Sequence, residues 1–380
     1  MMNDELLDNL NESQRTAVEY TDGPQLVIAG AGSGKTRVLT YKIAYLLEQG
    51  LQPWNILALT FTNKAAKEMK DRIGELVGHE RARRLFMGTF HSIFARILRT
   101  EAEKIGFTNN FTIYDESDSR SLLKTIVKDM ALDDKVYKPA VVHARISMAK
   151  NHFILPELYA RKGDLLERDR RDRLPEIHHI YRSYMQRCRS ANAMDFDDLL
   201  VFTHQLLRND EAVRADYAAR FRYVLVDEYQ DTNHVQQCIV SLLTEGHRRI
   251  CVVGDDAQSI YGFRGADIDN ILDFQKQFPE ARLFKLEQNY RSTQNIVQAA
   301  NSLIRHNQRQ IRKDVFSRND KGEKLLLKPV YSDKEEALVV CKDIKRLQRQ
   351  EGSNYNEFAI LYRTNSQSRP FEEEMRRQNI

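Results

Sequence analysis

The segment most suggestive of chemistry reads Ala29-Gly-Ala-Gly-Ser-Gly-Lys-Thr36. It follows an apolar run at 25–29 and precedes an amphipathic pattern, which predicts a strand, a glycine loop and a helix. The general phosphate-loop pattern has a further glycine at the position that Ala29 occupies here. Its physical requirements are still met, because glycines let successive N–H groups turn toward a polyphosphate at a helix amino terminus. We expect Lys35 to reach the outer phosphates and the Thr36 hydroxyl to ligate magnesium.

A second signal is a pair of carboxylates that ends the apolar run Val224-Leu-Val-Asp-Glu228. Beside a phosphate loop, such a strand end supplies a magnesium ligand, here Asp227, and a general base for the attacking water, here Glu228. An Asp-Glu pair after a strand is common by itself. Combined with the glycine loop, it favours nucleotide hydrolysis.

A third segment, residues 254–265, follows another apolar run. It combines a side chain that suits a phosphate or water with side chains that suit nucleic acid. The amide of Gln258 can contact a terminal phosphate or a water molecule. Tyr261, Phe263 and Arg264 offer two stacking faces and a cation, which suit nucleic acid bases and phosphates. The alternative interpretation makes Tyr261 and Phe263 core residues that anchor the loop.

The composition excludes a disordered tail and a histone-like polycation. The chain has 380 residues with 58 Lys or Arg against 54 Asp or Glu, and 42% of its residues are hydrophobic, which is the balance of a globular chain with two or three domains. It has no apolar run of membrane-spanning length, and residues 1–11 are acidic and polar, unlike a secretory signal, so we expect a cytoplasmic protein. The four cysteines are widely spaced and predict ordinary thiols.

The order of apolar patterns predicts an α/β fold that is interrupted by a helical segment. Strand patterns at 25–29, 56–61 and 85–87 alternate with helical ones, which is typical of a parallel sheet. From about residue 105 to 207 strand patterns vanish and helical spacing takes over, with Ser117 and Asp118 as candidate caps and a further helix behind Pro175. Strand patterns return at 223–227 and 250–253. We therefore expect one sheet domain with a helical insertion.

A second sheet is expected after about residue 280. Apolar runs at 283–286, 325–327 and 358–362 predict its strands. Residues 370–380 have the composition of a helix that we expect to continue past Ile380, so we expect the chain to be the amino-terminal part of a longer protein.

Eight short motifs follow one another along the chain: LNESQ (10–14), AGAGSGKT (29–36), LTFTNKAA (59–66), GTFHS (88–92), LVDEYQDT (225–232), VGDDAQSIYGFRG (253–265), LEQNYRST (286–293) and LYRTN (361–365). With these motifs in this order, the chain resembles the superfamily 1 DNA helicases of the UvrD, PcrA and Rep group. The resemblance implies a RecA-like phosphate-loop NTPase sheet as first motor domain (1–105 and 208–282). It also implies a helical insertion (106–207) and the first part of a second RecA-like domain (283–380), which would stop near that domain's own insertion.

The resemblance also implies an ATP site with magnesium. Gln14 would read the adenine edge, Tyr290 would stack on the base, and Arg291 would be an arginine finger. Gln258 would couple the γ-phosphate to the DNA track. The catalytic set would be Lys35, Asp227, Glu228, Gln258 and Arg291, with Thr36 and Asp227 on the metal. The nucleotide would lie on Gln14, Ala29, Gly30, Ala31, Gly32, Ser33, Gly34, Lys35, Thr36, Arg37 and Tyr290.

The implied DNA track accepts single strands of any sequence and meets the junction with duplex. Its residues would be Phe61, Thr62, Asn63, Thr89, His91, Tyr261, Phe263 and Arg264. Many relatives have Trp at the position of Phe263, so we expect weaker stacking on DNA bases here. Residues 135–189 carry 13 Lys or Arg against 6 Asp or Glu, which makes the insertion a second candidate for phosphate contacts, with a solvated helical face as the alternative.

The implied function is an ATP-dependent 3′–5′ DNA helicase and translocase in repair or replication. One alternative is a DNA-binding protein switched by ATP without translocation, and another is the helicase part of a helicase-nuclease. A metabolic phosphate-loop kinase would leave the aromatic residues of 254–265 unexplained.

Overall fold

The computed structural model describes residues 6–380. The first five residues of the expected first domain, and of the acidic amino-terminal segment, lie outside the described part. The chain divides into two compact units at the bond between Gly322 and Glu323. Each unit is described by itself.

The first unit is built on a six-stranded sheet in which all neighbouring strands are parallel. The strand order is β3-β2-β6-β7-β1-β8. The strands are β1 (Gln25–Ala29), β2 (Ile56–Thr60), β3 (Phe86–Thr89), β4 (Thr112–Tyr114), β5 (Ala193–Asp195), β6 (Tyr223–Val226), β7 (Ile250–Gly254), β8 (Arg282–Leu286), β9 (Gln288–Asn289) and β10 (Phe316–Ser317). The carboxyl ends of β1, β7 and β6 are neighbours, so the loops that follow these three strands meet at one edge of the sheet.

Helices cover the sheet and form the insertion. They are α1 (Glu12–Glu19), α2 (Lys35–Glu48), α3 (Asn63–Val77), α4 (His79–Arg83), α5 (Phe90–Thr100), α6 (Glu116–Asp129), α7 (Pro139–Lys150), α8 (Pro156–Tyr159), α9 (Gly163–Arg171), α10 (Ile177–Ser190), α11 (Phe196–Asn209), α12 (Glu211–Arg220), α13 (His234–Thr244), α14 (Asp269–Leu272), α15 (Phe274–Gln277), α16 (Gln294–Ile304), α17 (Asp333–Glu351) and α18 (Ser368–Gln378).

The central strands are buried on both faces. In β1, Leu26 and Ile28 pack in one hydrophobic cluster, while Val27 and Ala29 pack in another. Successive side chains of a strand point to opposite faces, so the two clusters are the two cores on either side of the sheet. This explains why these strands read as continuous apolar runs in the sequence.

The insertion has a hydrophobic core of its own, which begins at Leu123 and ends at Cys188. The expectation that residues 105–207 lack strands is wrong, because β4 and β5 pair there in a short parallel sheet. Each of these strands has only three residues, which is too short for an alternating pattern to stand out. The helix cap also differs from the expectation: Asp115 accepts from the Asp118 amide as the N-cap of α6, with Asp118 as its capping-box partner.

Of the expected second sheet, the described residues form only a short parallel pair, β9 with β10, with two residues in each strand. The run at 283–286 forms β8 instead, which pairs with the free edge of β1 and thereby satisfies that edge's backbone groups. The runs at 325–327 and 358–362 are not strands, since residues 323–380 contain no partner strand with which they could pair. This second unit consists mainly of α17 and α18.

The helix α18 ends at Gln378, which corrects the expectation that it continues past Ile380. Asn379 adopts the left-handed conformation (φ 55°, ψ 51°) that terminates many helices, and Asn tolerates it better than most residues. Cys188, Cys238, Cys251 and Cys341 are free thiols, as predicted. Across residues 6–380, no helix has the length and apolar character needed to cross a membrane.

Candidate functional site

The glycine loop joins β1 to α2 with two residues in left-handed conformations. Gly32 has φ +70° and Gly34, the N-cap of α2, has φ +89°. A Cβ atom on Gly32 would lie 2.8 Å from Cβ of Arg291. Glycine is therefore required at position 32 for both conformation and space, and the loop N–H groups can face a polyphosphate at the start of α2.

Asn289 ties this loop to the segment after β8, a contact that the sequence motifs did not predict. Its Nδ2 donates to the Ala31 carbonyl at 2.6 Å. Its Oδ1 accepts from the backbone N–H groups of Arg291 (2.8 Å) and Ser292 (2.7 Å). One buried amide thus fixes the glycine loop and the backbone of Arg291 together. The spacing of 258 residues between Asn289 and Ala31 left no local signal in the sequence.

The residues expected to hold the base also gather beside the glycine loop. Gln14 is buried, and its Nε2 donates to the Ser33 carbonyl at 3.0 Å, while its Oε1 accepts from the Asn11 N–H. The Asn11 side chain donates to the Tyr290 hydroxyl at 2.6 Å. The Tyr290 ring is half exposed, so one of its faces is available for stacking. To read an adenine edge, the Gln14 amide would have to exchange the partners it has here.

Arg37 lies at the same end of α2. Its Nη2 donates to the Asn9 carbonyl at 2.7 Å, and its guanidinium carbon lies 5.4 Å from the centre of the Tyr41 ring. This places a fixed cation near the first turn of α2. Arg291, whose Cβ lies close to Gly32, is exposed.

The acidic strand end meets the glycine loop directly. Lys35 Nζ lies 2.8 Å from Glu228 Oε2. Burial, and then the charge of Glu228, raise the pKa of Asp227 to about 7. Glu228 itself adopts the left-handed conformation (φ 48°, ψ 46°), which a residue with a long side chain rarely takes. The order of the strands therefore brings Lys35, Asp227 and Glu228 together, as their places in the sequence predicted.

The segment 254–258 is linked to these carboxylates by hydrogen bonds. Gln230 donates from Nε2 to Glu228 Oε2 at 3.0 Å, and its Oε1 accepts from the Asp255 N–H at 3.0 Å. Asp255 in turn accepts from Gln258 Nε2 at 2.7 Å. Gln258 is therefore held in place by a chain of bonds that leads to the proposed general base.

A cavity of about 790 Å³ lies in front of these groups. Its wall combines residues expected to bind nucleotide with residues expected to bind DNA. From the nucleotide side it includes Thr36, Asp227, Glu228 and Gln258. From the expected DNA track it includes Phe61, Thr62, His91, Tyr261 and Arg264. The insertion adds Ser147, Asn151 and Asp197, so the cavity opens between the sheet and the insertion.

Two buried oxygens on this wall lack a hydrogen-bond partner within residues 6–380: Thr60 Oγ1 and Asp231 Oδ1. Buried polar atoms are normally paired, so the wall is suited to a bound polar group. Magnesium fits it chemically, because Thr36 and Asp227 contribute hard oxygen ligands to the same cavity. A divalent cation there would also favour the ionised form of Asp227, whose pKa is raised by burial and by Glu228.

Three residues form an exposed cluster at the end of the segment 254–265. The Tyr261 and Phe263 ring centres are 6.1 Å apart, and the Arg264 guanidinium lies 5.4 Å from each of them. Phe263 is 72% exposed. The ring of Phe263 is therefore not a core residue, and it is available to a base. We call Tyr261, Phe263 and Arg264 the aromatic cluster.

The remaining DNA candidates lie at helix starts on the carboxyl edge of the sheet. Thr62 is the N-cap of α3, in which Asn63 is the first residue, and Thr89 is the N-cap of α5. His91 packs edge-to-face on the partly exposed ring of Phe196 at 5.7 Å. Burial lowers the pKa of His91 to about 4, so this imidazole is neutral at physiological pH. Asn63, Thr89 and Phe263 do not line the cavity itself.

The parallel sheet, the glycine loop and the acidic end of β6 define a phosphate-loop nucleotide-binding protein with a RecA-like sheet. Two family descriptions match the chain: the UvrD/REP helicase N-terminal domain over residues 10–279, and the UvrD-like helicase C-terminal domain over residues 284–380. The chain belongs to the UvrD/REP helicase family.

Curated relatives agree with this assignment. The chain is 46% identical over 376 residues to a protein of Staphylococcus epidermidis and 43% identical over 376 residues to one of Leuconostoc citreum, each named ATP-dependent DNA helicase PcrA. A Staphylococcus aureus protein of the same name is 44% identical. These matches cover 99% of this chain, and the chain spans about half the length of the relatives (49–50%).

Proposed function

We propose that the protein is an ATP-dependent DNA helicase and translocase, with magnesium as the metal of its ATP site. The cavity that joins the proposed catalytic carboxylates to Tyr261 and Arg264 carries this proposal. A phosphate-metabolising enzyme needs the carboxylates but has no use for exposed rings on the same wall. A motor needs both, because hydrolysis has to change the grip on a strand.

On the nucleotide side, the contact between Lys35 and Glu228 suggests how ATP binding would free Glu228 to act as a base. In the structure the ammonium group neutralises the carboxylate. The outer phosphates of ATP would attract Lys35 more strongly than one carboxylate does, since they carry more negative charge. Glu228 would then keep Gln230 as a donor and be free to accept a proton from water. Magnesium, held by Thr36 and Asp227, would neutralise charge on the phosphates.

Around the nucleotide, Tyr290 would stack on the base and Arg291 would face the γ-phosphate as an arginine finger. Asn289 would support both roles, because it fixes the Arg291 backbone over the glycine loop. The rest of the nucleotide would lie on residues 29–37 and on Gln14. Gln258 would sense the γ-phosphate from the same wall of the cavity.

On the DNA side, a single strand would run past Phe61, Thr62, Asn63, Thr89 and His91 to the aromatic cluster. Aromatic stacking tolerates any base, which suits a motor that must pass every sequence. We further propose 3′–5′ movement, work at duplex junctions, a role in DNA repair or replication, and a cytoplasmic location, where both proposed substrates are found. Residues 106–207 would be the insertion of the first motor domain and residues 283–380 the start of the second.

ATP hydrolysis by the full-length protein, measured with and without an oligo-dT strand, tests this proposal. We expect the strand to stimulate hydrolysis, and Lys35→Ala or Glu228→Gln to abolish nearly all of it. Matched controls are Lys128→Ala and Glu75→Gln, which change exposed residues of the same types away from the site. Hydrolysis that persists in both site variants would refute the proposal.

Movement along DNA is tested separately. A stopped-flow translocation assay on a labelled single strand should report ATP-dependent arrival at the strand end. Stimulated hydrolysis without any translocation would favour the ATP-switched DNA-binding protein. For the 380-residue chain alone we expect binding of nucleotide and DNA but feeble turnover, and robust unwinding by this chain would contradict that expectation.

A further inference from the structure

Lys313 makes a nearly buried ionic contact close to Gln258 that the proposed mechanism does not use. Its Nζ lies 2.9 Å from Asp255 Oδ1 and 2.7 Å from Asp256 Oδ1. All three side chains are nearly buried, at 7%, 4% and 0% exposed. Burial alone would lower the pKa of Lys313, but Asp255 and Asp256 outweigh it and raise that pKa. The lysine therefore stays charged and neutralises two adjacent carboxylates.

Asp256 is held from the same segment by a second bond. The Ile311 N–H donates to Asp256 Oδ2 at 2.9 Å. Both oxygens of this carboxylate are thus satisfied by residues 311–313. This segment lies in the part of the chain that matches the C-terminal family description, whereas Asp255 and Asp256 lie in the part that matches the N-terminal one.

Asp255 connects the ion pair of Lys313 to Gln258 and Glu228, two residues of the proposed hydrolysis. Its Oδ1, which contacts Lys313, also accepts from the Ala257 N–H at 3.1 Å and so caps the short turn Asp256–Gln258. Its Oδ2 accepts from Gln258 Nε2, and its N–H donates to Gln230, which holds Glu228. An unbroken chain of short contacts therefore runs from Lys313 to both Gln258 and Glu228.

We propose that Lys313 is a positioning residue for ATP hydrolysis, which fixes the turn Asp256–Gln258 so that the Gln258 amide faces the cavity. This inference rests on the proposed function. Lys313 touches neither ATP nor the attacking water, and it acts through Asp255. Without its charge, the two buried carboxylates would repel each other and the turn would open toward solvent.

Lys313→Met tests the inference, because methionine keeps the unbranched side chain and removes the charge. We expect kcat of DNA-stimulated ATP hydrolysis to fall on the order of 10- to 100-fold, while KM for ATP changes little, because the residue positions a group that acts after binding. Lys313→Arg should recover part of kcat. The matched control is Lys328→Met, which removes a lysine from a more exposed ion pair with Asp343 and should leave kcat unchanged.

Hydrogen exchange followed by mass spectrometry gives a second readout that needs no activity. The amides of Ala257 and Gln258 should exchange faster in Lys313→Met than in the wild type, while those of β6 should not change. A folded Lys313→Met protein with normal kcat and normal exchange at these amides would overturn the inference.

If Lys313→Met does not fold, Lys313→Gln removes the charge with a polar side chain, and normal kcat together with normal exchange at Ala257 and Gln258 in that variant would also overturn the inference. If the wild type itself does not hydrolyse ATP, the proposed function fails, and the exchange experiment alone then decides whether Lys313 holds the turn.

Discussion

The strained backbone of Glu228 gives the proposed general base its position. The left-handed conformation of this residue costs on the order of 1 kcal/mol or more, and such strain persists where the surroundings enforce it. Here Lys35 and Gln230 both contact Glu228 Oε2, at 2.8 and 3.0 Å. The conformation turns the chain immediately after Asp227, so that two consecutive carboxylates reach the same cavity.

Phe263 offers the clearest prediction for the proposed DNA track. Phe263→Ala should weaken single-strand binding by about 1 to 3 kcal/mol, because it removes one stacking face from the aromatic cluster. Phe263→Trp should strengthen binding, since the larger indole overlaps a base more fully. Fluorescence anisotropy of a labelled oligo-dT strand measures both. Leu303→Ala is the control, because Leu303 is similarly exposed and lies on α16, outside the proposed track.

His91 allows a prediction about pH. Its pKa is lowered by burial to about 4 in the folded protein, from an ordinary value of 6.5. The unfolded chain therefore binds this proton first, and stability falls as pH drops from about 6.5 to 4. The His91 ring signals in NMR spectra should not titrate between pH 8 and 5, with His91→Asn identifying them. A midpoint near 6.5 would show that the imidazole is not shielded as described.

Among the contacts between side chains of the site, the sequence could predict only those that follow from the order of the strands. Lys35, Asp227 and Glu228 each follow a strand with a strong apolar pattern, so their convergence could be predicted. Asn289 and Lys313 also hold the site, but each contacts a residue far away in the sequence, and neither has a spacing that signals its partner. Such contacts depend on how loops pack, which periodicity does not encode.

At the scale of elements, the insertion is anchored by a buried ion cluster. Lys150, the last residue of α7, has Nζ 2.6 Å from Asp195 Oδ2 and 2.7 Å from Asp198 Oδ1, at the start of α11. The Tyr184 hydroxyl also donates to Asp195 at 2.9 Å. Burial, and then the charge of Asp195, raise the pKa of Asp198 to about 7. Three helices thus meet at one cation.

Lys150→Met should destabilise the insertion by about 3 to 5 kcal/mol, because removal of one partner leaves buried charge without compensation. Urea unfolding followed by circular dichroism, with hydrogen exchange of α7 and α10, measures the loss. Lys124→Met, an exposed change on α6, is the control and should have little effect. Equal stability of the two variants would contradict the anchoring role.

The next residue after Lys150 links the insertion to the first sheet domain. Asn151 Oδ1 accepts from Asn233 Nδ2 at 2.7 Å, and Asn233 is the N-cap of α13, which follows the acidic strand end. Asn151 also lines the cavity. Helical periodicity predicted the insertion as an element, but this polar contact depends on tertiary packing and left no signal in the pattern.

At the scale of the whole chain, the sequence predicted the first sheet well and the second poorly. Every central strand of the first sheet is a continuous apolar run. The hydrophobic clusters on the two faces of the sheet bury these strands, as their apolar pattern predicted. The apolar runs after residue 322 carry the same signal but remain unpaired within the described chain. A strand pattern expresses only the tendency to be buried in a sheet, because the hydrogen bonds must come from another segment.

If nucleotide and DNA share one cavity, as we propose, then the binding of either ligand must change the affinity for the other. The Kd of a labelled oligo-dT strand should be measured for the chain with and without a non-hydrolysable ATP analogue and magnesium, and the Kd of the analogue with and without the strand. We predict that both values change by the same factor, about 5 to 150, as reciprocity requires. Tight binding of both ligands, with neither changing the Kd of the other, would show that they do not share a cavity.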